Sequence, residues 1–118
     1  DLVMTPNNNQ SNKYEVFVDD NYHALMEPNS YKKIYEFDNK EDAINKCEEI
    51  LIQSLIDLYK EGMSIDEISA IWAMYGEDPF IRAKDCKFSS REFLDTKRDD
   101  EDFFKKIKHA SARKTMVE

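Results

Sequence analysis

Two short acidic segments hold most of the residues that could do chemistry. The first is Asp19-Asp20-Asn21-Tyr22-His23, which offers two carboxylates, an amide and an imidazole. Those groups are adequate ligands for a divalent cation. They are equally adequate acid–base groups where burial shifts their protonation. The second is Gly76-Glu77-Asp78-Pro79-Phe80, which reads as a tight connection between a helix stop and whatever follows, with two carboxylates exposed for recognition. If the two segments met in space, four carboxylates and His23 would share a region. A plainer reading weighs against a metal. Adjacent carboxylates on a strand point to opposite faces, so Asp19 and Asp20 cannot both face one ion without a kink. An Asp-Asn turn that ends a strand explains the same residues. The expectation is therefore that Asp19, Asp20, Asn21, His23, Glu77, Asp78 and Phe80 are candidate binding residues. No metal site, no cofactor and no assigned catalytic residue are expected.

Other catalytic constellations have little support. Cys47 falls on an apolar helical stripe and reads as a small buried hydrophobe. Cys86, flanked by Asp85 and Lys87, reads as exposed, with no base to make it a nucleophile. No P-loop, dinucleotide fingerprint, zinc spacing or H-E-x-x-H occurs. Gly62-Met63-Ser64-Ile65-Asp66-Glu67-Ile68 has the look of a helix-turn-helix turn. A recognition helix needs basic or amide side chains near its start, however, and this one begins with Asp66 and Glu67.

The chain has 118 residues and a net charge of −8. Residues 105–118 carry Lys105, Lys106, Lys108, Arg113 and Lys114 against Glu118, so the acidic excess lies in the body. Such a body repels phosphate backbones, and no nucleic-acid partner is expected. No apolar run approaches the ~18 residues that a membrane span needs, and no charged-then-apolar leader opens the chain. The setting expected is cytoplasmic and reducing, with no membrane partner.

The elements that must position the acidic segments follow from periodicity. Residues 14–18 alternate Tyr14, Val16 and Val18 against Glu15 and Phe17, and 31–37 alternate Tyr31, Tyr35 and Phe37 against Ile34. Both read as strands and are expected to pair. A two-stranded ribbon is marginal alone, and Ile81–Phe88 could supply a third strand. Asn39 or Asp38 caps a first helix whose apolar stripe includes Ala43, Ile44, Cys47, Leu51, Leu55 and Leu58. Ile52 and Ile56 sit off that stripe, one turn apart, and are the candidate interface residues. Ser64-Ile65-Asp66-Glu67 is a capping box for a second helix with Ile65, Ile68, Ile71, Trp72 and Tyr75 on its buried face. Gly76 ends it and Pro79 prevents its resumption. A third helix starts near Ser89, and the polar insert at 96–101 can break it. The fold class is α+β: a short antiparallel sheet of two or three strands with about three helices packed on one face. Residues 1–12 are expected to be a disordered tail, 13–109 a single domain and 110–118 a basic C-terminal tail.

Taken together, Y-E-V-F-V-D-D-N-Y-H, Y-K-K-I-Y-E-F-D-N-K-E-D-A-I, G-M-S-I-D-E-I and G-E-D-P-F-I resemble a small family of uncharacterised bacterial proteins with VDDN-type and GEDPFI-type motifs. The likeness covers roughly residues 14–94. It implies a compact α+β domain and draws attention to Asp19, Asp20, Asn21 and Glu77 to Phe80; it brings no activity. The functional expectation is a small acidic protein-interaction or regulatory domain with a protein partner or a homo-oligomeric state. The alternative is a divalent-metal-dependent enzyme built on the two acidic segments.

Overall fold

The computed structural model describes residues 13–24 and 32–117. The elements in order are β1 (Tyr14–Asp20), α1 (Asn21–Ala24), β2 (Lys32–Phe37), α2 (Lys40–Leu58), α3 (Ile65–Tyr75), β3 (Glu77–Arg82), α4 (Ser90–Lys97) and α5 (Glu101–Val117). The three strands form one antiparallel sheet in the order β2-β1-β3. The fold is α+β, as the two periodicities of the sequence require.

β1 is central, and its pairing sets the geometry of everything that follows. It meets β2 with Val16 opposite Tyr35, and the register slips beyond Val16 so that Phe17 lies opposite Lys33. It meets β3 without a slip, from Glu15 opposite Arg82 to Asp20 opposite Glu77. The third strand lies earlier than expected. The segment from Glu77 to Phe80, expected as a turn, is most of β3 itself. Pro79 is compatible because β3 is an edge strand, where a missing N–H breaks no ladder on the outer side.

α2 is the spine of the core. Its first half lays Ala43 and Cys47 on Val16 and Ile81 of the sheet, with Cys86 in the same buried cluster. Its second half lays Leu51 and Leu55 against Ile68 and Trp72 of α3, Leu94 of α4 and Ile107 of α5. One helix therefore bridges a sheet-facing cluster and a helix-facing one, which is why its apolar stripe is so long. Cys86 is buried in that first cluster, contrary to the expectation of an exposed thiol. The charged neighbours Asp85 and Lys87 misled because side chains in an irregular segment alternate between inside and outside.

The helix starts follow local chemistry. Asn39 caps α2, its Oδ1 accepting from Asp42 N at 2.8 Å. Ser64 and Glu67 form the full box on α3, with bonds of 3.1 and 2.8 Å. Ser89 Oγ accepts from Glu92 N at 3.2 Å and starts α4. Each such cap is worth about 1 kcal/mol. Between α2 and α3, Lys60 to Met63 closes a turn with a 3.1 Å backbone bond, and Gly62 takes φ 95°, where a Cβ would be strained.

The helices exceed the expected number. The polar insert does break the third predicted helix, giving α4 and α5, with Asp100 Oδ1 accepting from Phe103 N at 3.1 Å at the start of α5. α5 runs on to Val117, so the domain boundary expected at residue 109 falls inside a helix. The expected N-terminal tail, residues 1–12, lies outside the described residues, as does Tyr31.

Candidate functional site

The two acidic segments meet. In the β1–β3 register Asp19 stands opposite Asp78, and Asp20 opposite Glu77. Directly opposed residues of an antiparallel pair share a face, and the next pair takes the other face. Val16 and Ile81 mark the face toward α2. Counting from them, Asp20 and Glu77 lie on the α2 side, while Asp19 and Asp78 share the opposite face with Phe17 and Phe80. The four carboxylates are thus gathered at one end of the sheet but divided two and two across it. The opposite face carries an aromatic pair, Phe17 and Phe80, stacked with centroids 5.5 Å apart. The Arg82 guanidinium covers Phe17 at 4.3 Å.

Most of this end is consumed by the fold. Asp20 Oδ1 accepts from Tyr22 N at 3.0 Å and caps the single turn α1. Asn21 extends the strand pairing by one bond, its N donating to Gly76 O at 2.9 Å. Its side-chain Nδ2 donates to Trp72 O at 2.9 Å, and the same carbonyl accepts from Gly76 N at 2.8 Å. Trp72 Nε1 in turn donates to Glu77 O at 2.9 Å, and Glu77 N donates to Ser54 Oγ of α2 at 3.0 Å. This network ties β1, α2, α3 and β3 at one point. Gly76 is essential to it for a steric reason. Its backbone is extended, but a Cβ there would stand 2.1 Å from Trp72 Cδ1.

The protonation of Asp78 is displaced. Burial pushes its carboxyl above the ordinary value of 3.8, the Ser90 hydroxyl pulls it back, the Asp19 carboxylate raises it again and Arg91 lowers it. Ser90 also lies 3.5 Å from Pro79 O, so its single proton serves either acceptor. The side chain of His23, the only expected nitrogen ligand, lies outside the described residues. Among the described residues no three His, Cys, Asp or Glu side chains come together in a way that could hold a metal ion. Cys47, inside the core, has its thiol pushed up to about 12, first by burial and then by the neighbouring Cys86.

Beside the network, Tyr22 of α1 and Tyr75 of α3 stack at 5.8 Å. Tyr75, expected on the buried face of α3, is 49% exposed.

The residues left half-covered lie elsewhere. Ile52 and Ile56 form one wall of a groove of about 370 Å³, and α5 forms the other with Phe103, Ile107 and Ala110. Lys106, His109 and Arg113 line it from the same helix. Ile56 rests on the helical cluster at the groove floor. Lys114 Nζ reaches Asp57 Oδ1 at 2.7 Å and bridges α2 to α5 near this groove. The sequence reading ended the domain at 109 and so left Ala110 and Arg113 of this groove to the tail. The signal was present in the spacing of Phe103, Ile107 and Ala110, three and four apart and flanked by basic residues.

No family model, no curated protein and no solved structure matches this chain. Among the described residues, no helix is long and apolar enough to cross a membrane.

Proposed function

We propose that this chain is a small protein-interaction domain whose docking surface is the groove between α2 and α5. One observation carries the reading: Ile52 and Ile56 lie half-covered in a groove with Phe103, Ile107 and Ala110, with cationic side chains along it. A two-walled apolar groove with a charged rim suits a helical segment of a polypeptide. The net charge of −8 favours a protein over a nucleic acid as partner. Residence in a reducing compartment such as the cytoplasm belongs to the same proposal, supported by two unpaired thiols. So does membership of the bacterial family with VDDN-type and GEDPFI-type motifs, which rests on those residues alone.

The competing reading is a metal-dependent enzyme at the acidic end. It gains from the register that brings Asp19, Asp20, Glu77 and Asp78 together, and loses from their division across the sheet. Asp20 and Asn21 are moreover committed to capping and to the bond with Trp72. The interaction reading is therefore preferred.

A photo-crosslinking residue placed at Lys106, and separately at Glu49, tests it. Lys106 lines the groove and Glu49 is exposed on α2 one turn before Ile52, so the substitutions leave the core intact. Polypeptide adducts in the native cell are expected from both, against none from a control position on β2 such as Glu36. No adduct at either position overturns the reading.

A further inference from the structure

We propose that Cys47 and Cys86 are a reversible oxidation site, two thiols that close into an intramolecular disulfide when the chain meets a peroxide. The first support is convergence. These are the only cysteines of the chain and lie far apart in its sequence. The fold nevertheless brings both into one buried cluster with Val16, Ala43 and Ile81. Cys47 comes from α2, and Cys86 from the stretch between β3 and α4. After burial, the largest influence on the Cys47 thiol is Cys86, ahead of the carboxylates of Asp78 and Glu48. A single buried cysteine is most simply a small apolar residue. A second thiol in the same cluster changes that, because the oxidation product of one sulfur then has a partner at hand.

The second support is that the two sulfurs have unequal settings. Cys47 is wholly buried on a regular helix, and its thiol is pushed up to about 12. Cys86 is 7% exposed. Burial raises its thiol too, but the Lys40 ammonium draws it back before Asp85 raises it again. A nearby ammonium favours the thiolate, the form that attacks a peroxide. Cys86 is therefore the first to react, and Cys47 is the thiol that resolves. Residues 83–89 belong to no helix or strand. A disulfide needs its two Cα atoms within ~7 Å, and any adjustment falls on this stretch and not on α2. Asp85 meanwhile holds the stretch against the start of α2 and β1. It meets Lys40 Nζ at 3.3 Å and accepts from the Tyr14 hydroxyl at 3.2 Å.

The chemistry balances with a peroxide as the oxidant. The Cys86 thiolate attacks one peroxide oxygen, the O–O bond breaks and hydroxide leaves, which gives a sulfenic acid at Cys86. The Cys47 sulfur then attacks the Cys86 sulfur. Its proton and the sulfenic hydroxyl leave as water, and the S–S bond forms. The two thiols give up two hydrogens, and the peroxide is reduced to two waters. A dithiol reductant reverses the step by exchange. A pair that is open at rest and closes on oxidation suits a reducing compartment, where such disulfides are transient.

Hydrogen peroxide applied to the folded full chain, followed by intact mass under non-reducing conditions, is the test. A loss of two hydrogens is expected, reversed by dithiothreitol, with Cys47 and Cys86 joined in one peptide of the digest. Cys47→Ala is expected to stop at the sulfenic acid of Cys86, which dimedone traps; wild type is expected to trap far less. Cys86→Ala is expected to leave Cys47 unlabelled. An unchanged mass overturns the proposal, as does oxygen added to the cysteines without loss of the two hydrogens, or a disulfide between chains. Equal dimedone labelling of Cys86 in wild type and Cys47→Ala also overturns it, because Cys47 then resolves nothing. The fluorescence of the single tryptophan, Trp72, reports whether the oxidised chain keeps its core. A product with the emission of the unfolded chain overturns the proposal as well. The wild-type mass and digest decide the matter whether or not either variant folds.

Discussion

The acidic end of the sheet and the α2–α5 groove differ in a way that reverses their appeal in the sequence. The acidic end is chemically rich, yet its groups are already engaged. Asp20 caps α1, Asn21 binds Trp72 and Gly76, and the Glu77 backbone joins α3 to α2. The groove is walled by isoleucine, phenylalanine and alanine, with Lys106, His109 and Arg113 along it, and its apolar surface is only partly covered. A motif that stands out by residue type can be a fold clamp, because burying backbone at a junction of four elements demands polar partners of fixed geometry. A recognition surface can be bland, because desolvation of apolar area is what drives association.

Substitutions can break that contrast. The largest effect is expected at Gly76. Gly76→Ala drives a methyl into Trp72 Cδ1 at 2.1 Å and is expected to cost about 3 kcal/mol in chemical denaturation, since the rigid indole cannot yield without breaking its bond to Glu77 O. A neutral result means that Trp72 is loosely held and the clamp is not a clamp. Next comes Asn21→Ala, which leaves the part-buried Trp72 carbonyl with one donor fewer and is expected to cost about 1–2 kcal/mol. Asn21→Asp should be at least as damaging, because a carboxylate cannot donate to a carbonyl. If Asn21→Asp is tolerated, the residue serves the site and not the fold.

In the groove the expected effects on the monomer are smaller. Ile52→Ser/Ile56→Ser, measured well below any association threshold, should cost less than Asn21→Ala, because Ile52 and Ile56 are only half-buried. A loss comparable to Leu51→Ala, about 2–5 kcal/mol, would place both residues in the monomer core and erase the distinction between the two regions.

The smallest effect concerns Asp78 and pH. Its carboxyl titrates above 3.8 in the folded chain, so the folded state holds a proton that the unfolded state has released. Stability from this group is therefore full below 3.8 and declines as pH rises through the folded value. Asp78→Asn, which keeps an acceptor for Ser90, should remove that decline and gain on wild type across the same window. Parallel pH–stability curves for the two proteins would show that Asp78 is as solvated as an ordinary carboxylate.

Local features were legible from sequence because their causes are local. The Ser64–Glu67 box, the Ser89 cap and the stripe through Cys47, Leu51 and Leu55 depend on residues three or four apart, and each is where the spacing places it. The break between α4 and α5 follows from a polar insert that offers no apolar period. The third strand was misplaced by four residues because Glu77, Asp78 and Pro79 carry turn chemistry, and only pairing with β1 makes them a strand. The burial of Cys86 and the exposure of Tyr75 were likewise invisible, since both depend on which distant surface lies alongside.

What sequence alone determined was the first two strands, the capped starts of α2, α3 and α4, the α+β class and the two odd isoleucines of α2. What only tertiary structure decided was adjacency. The meeting of Asp19 with Asp78 and of Asp20 with Glu77, the bond from Asn21 to a carbonyl 51 residues away, and the placing of α5 beside Ile52 and Ile56 are all long-range facts. Helix caps and periods are set by energies between near neighbours. Strand register and helix docking are set by the burial of whole faces, which no window of the sequence contains.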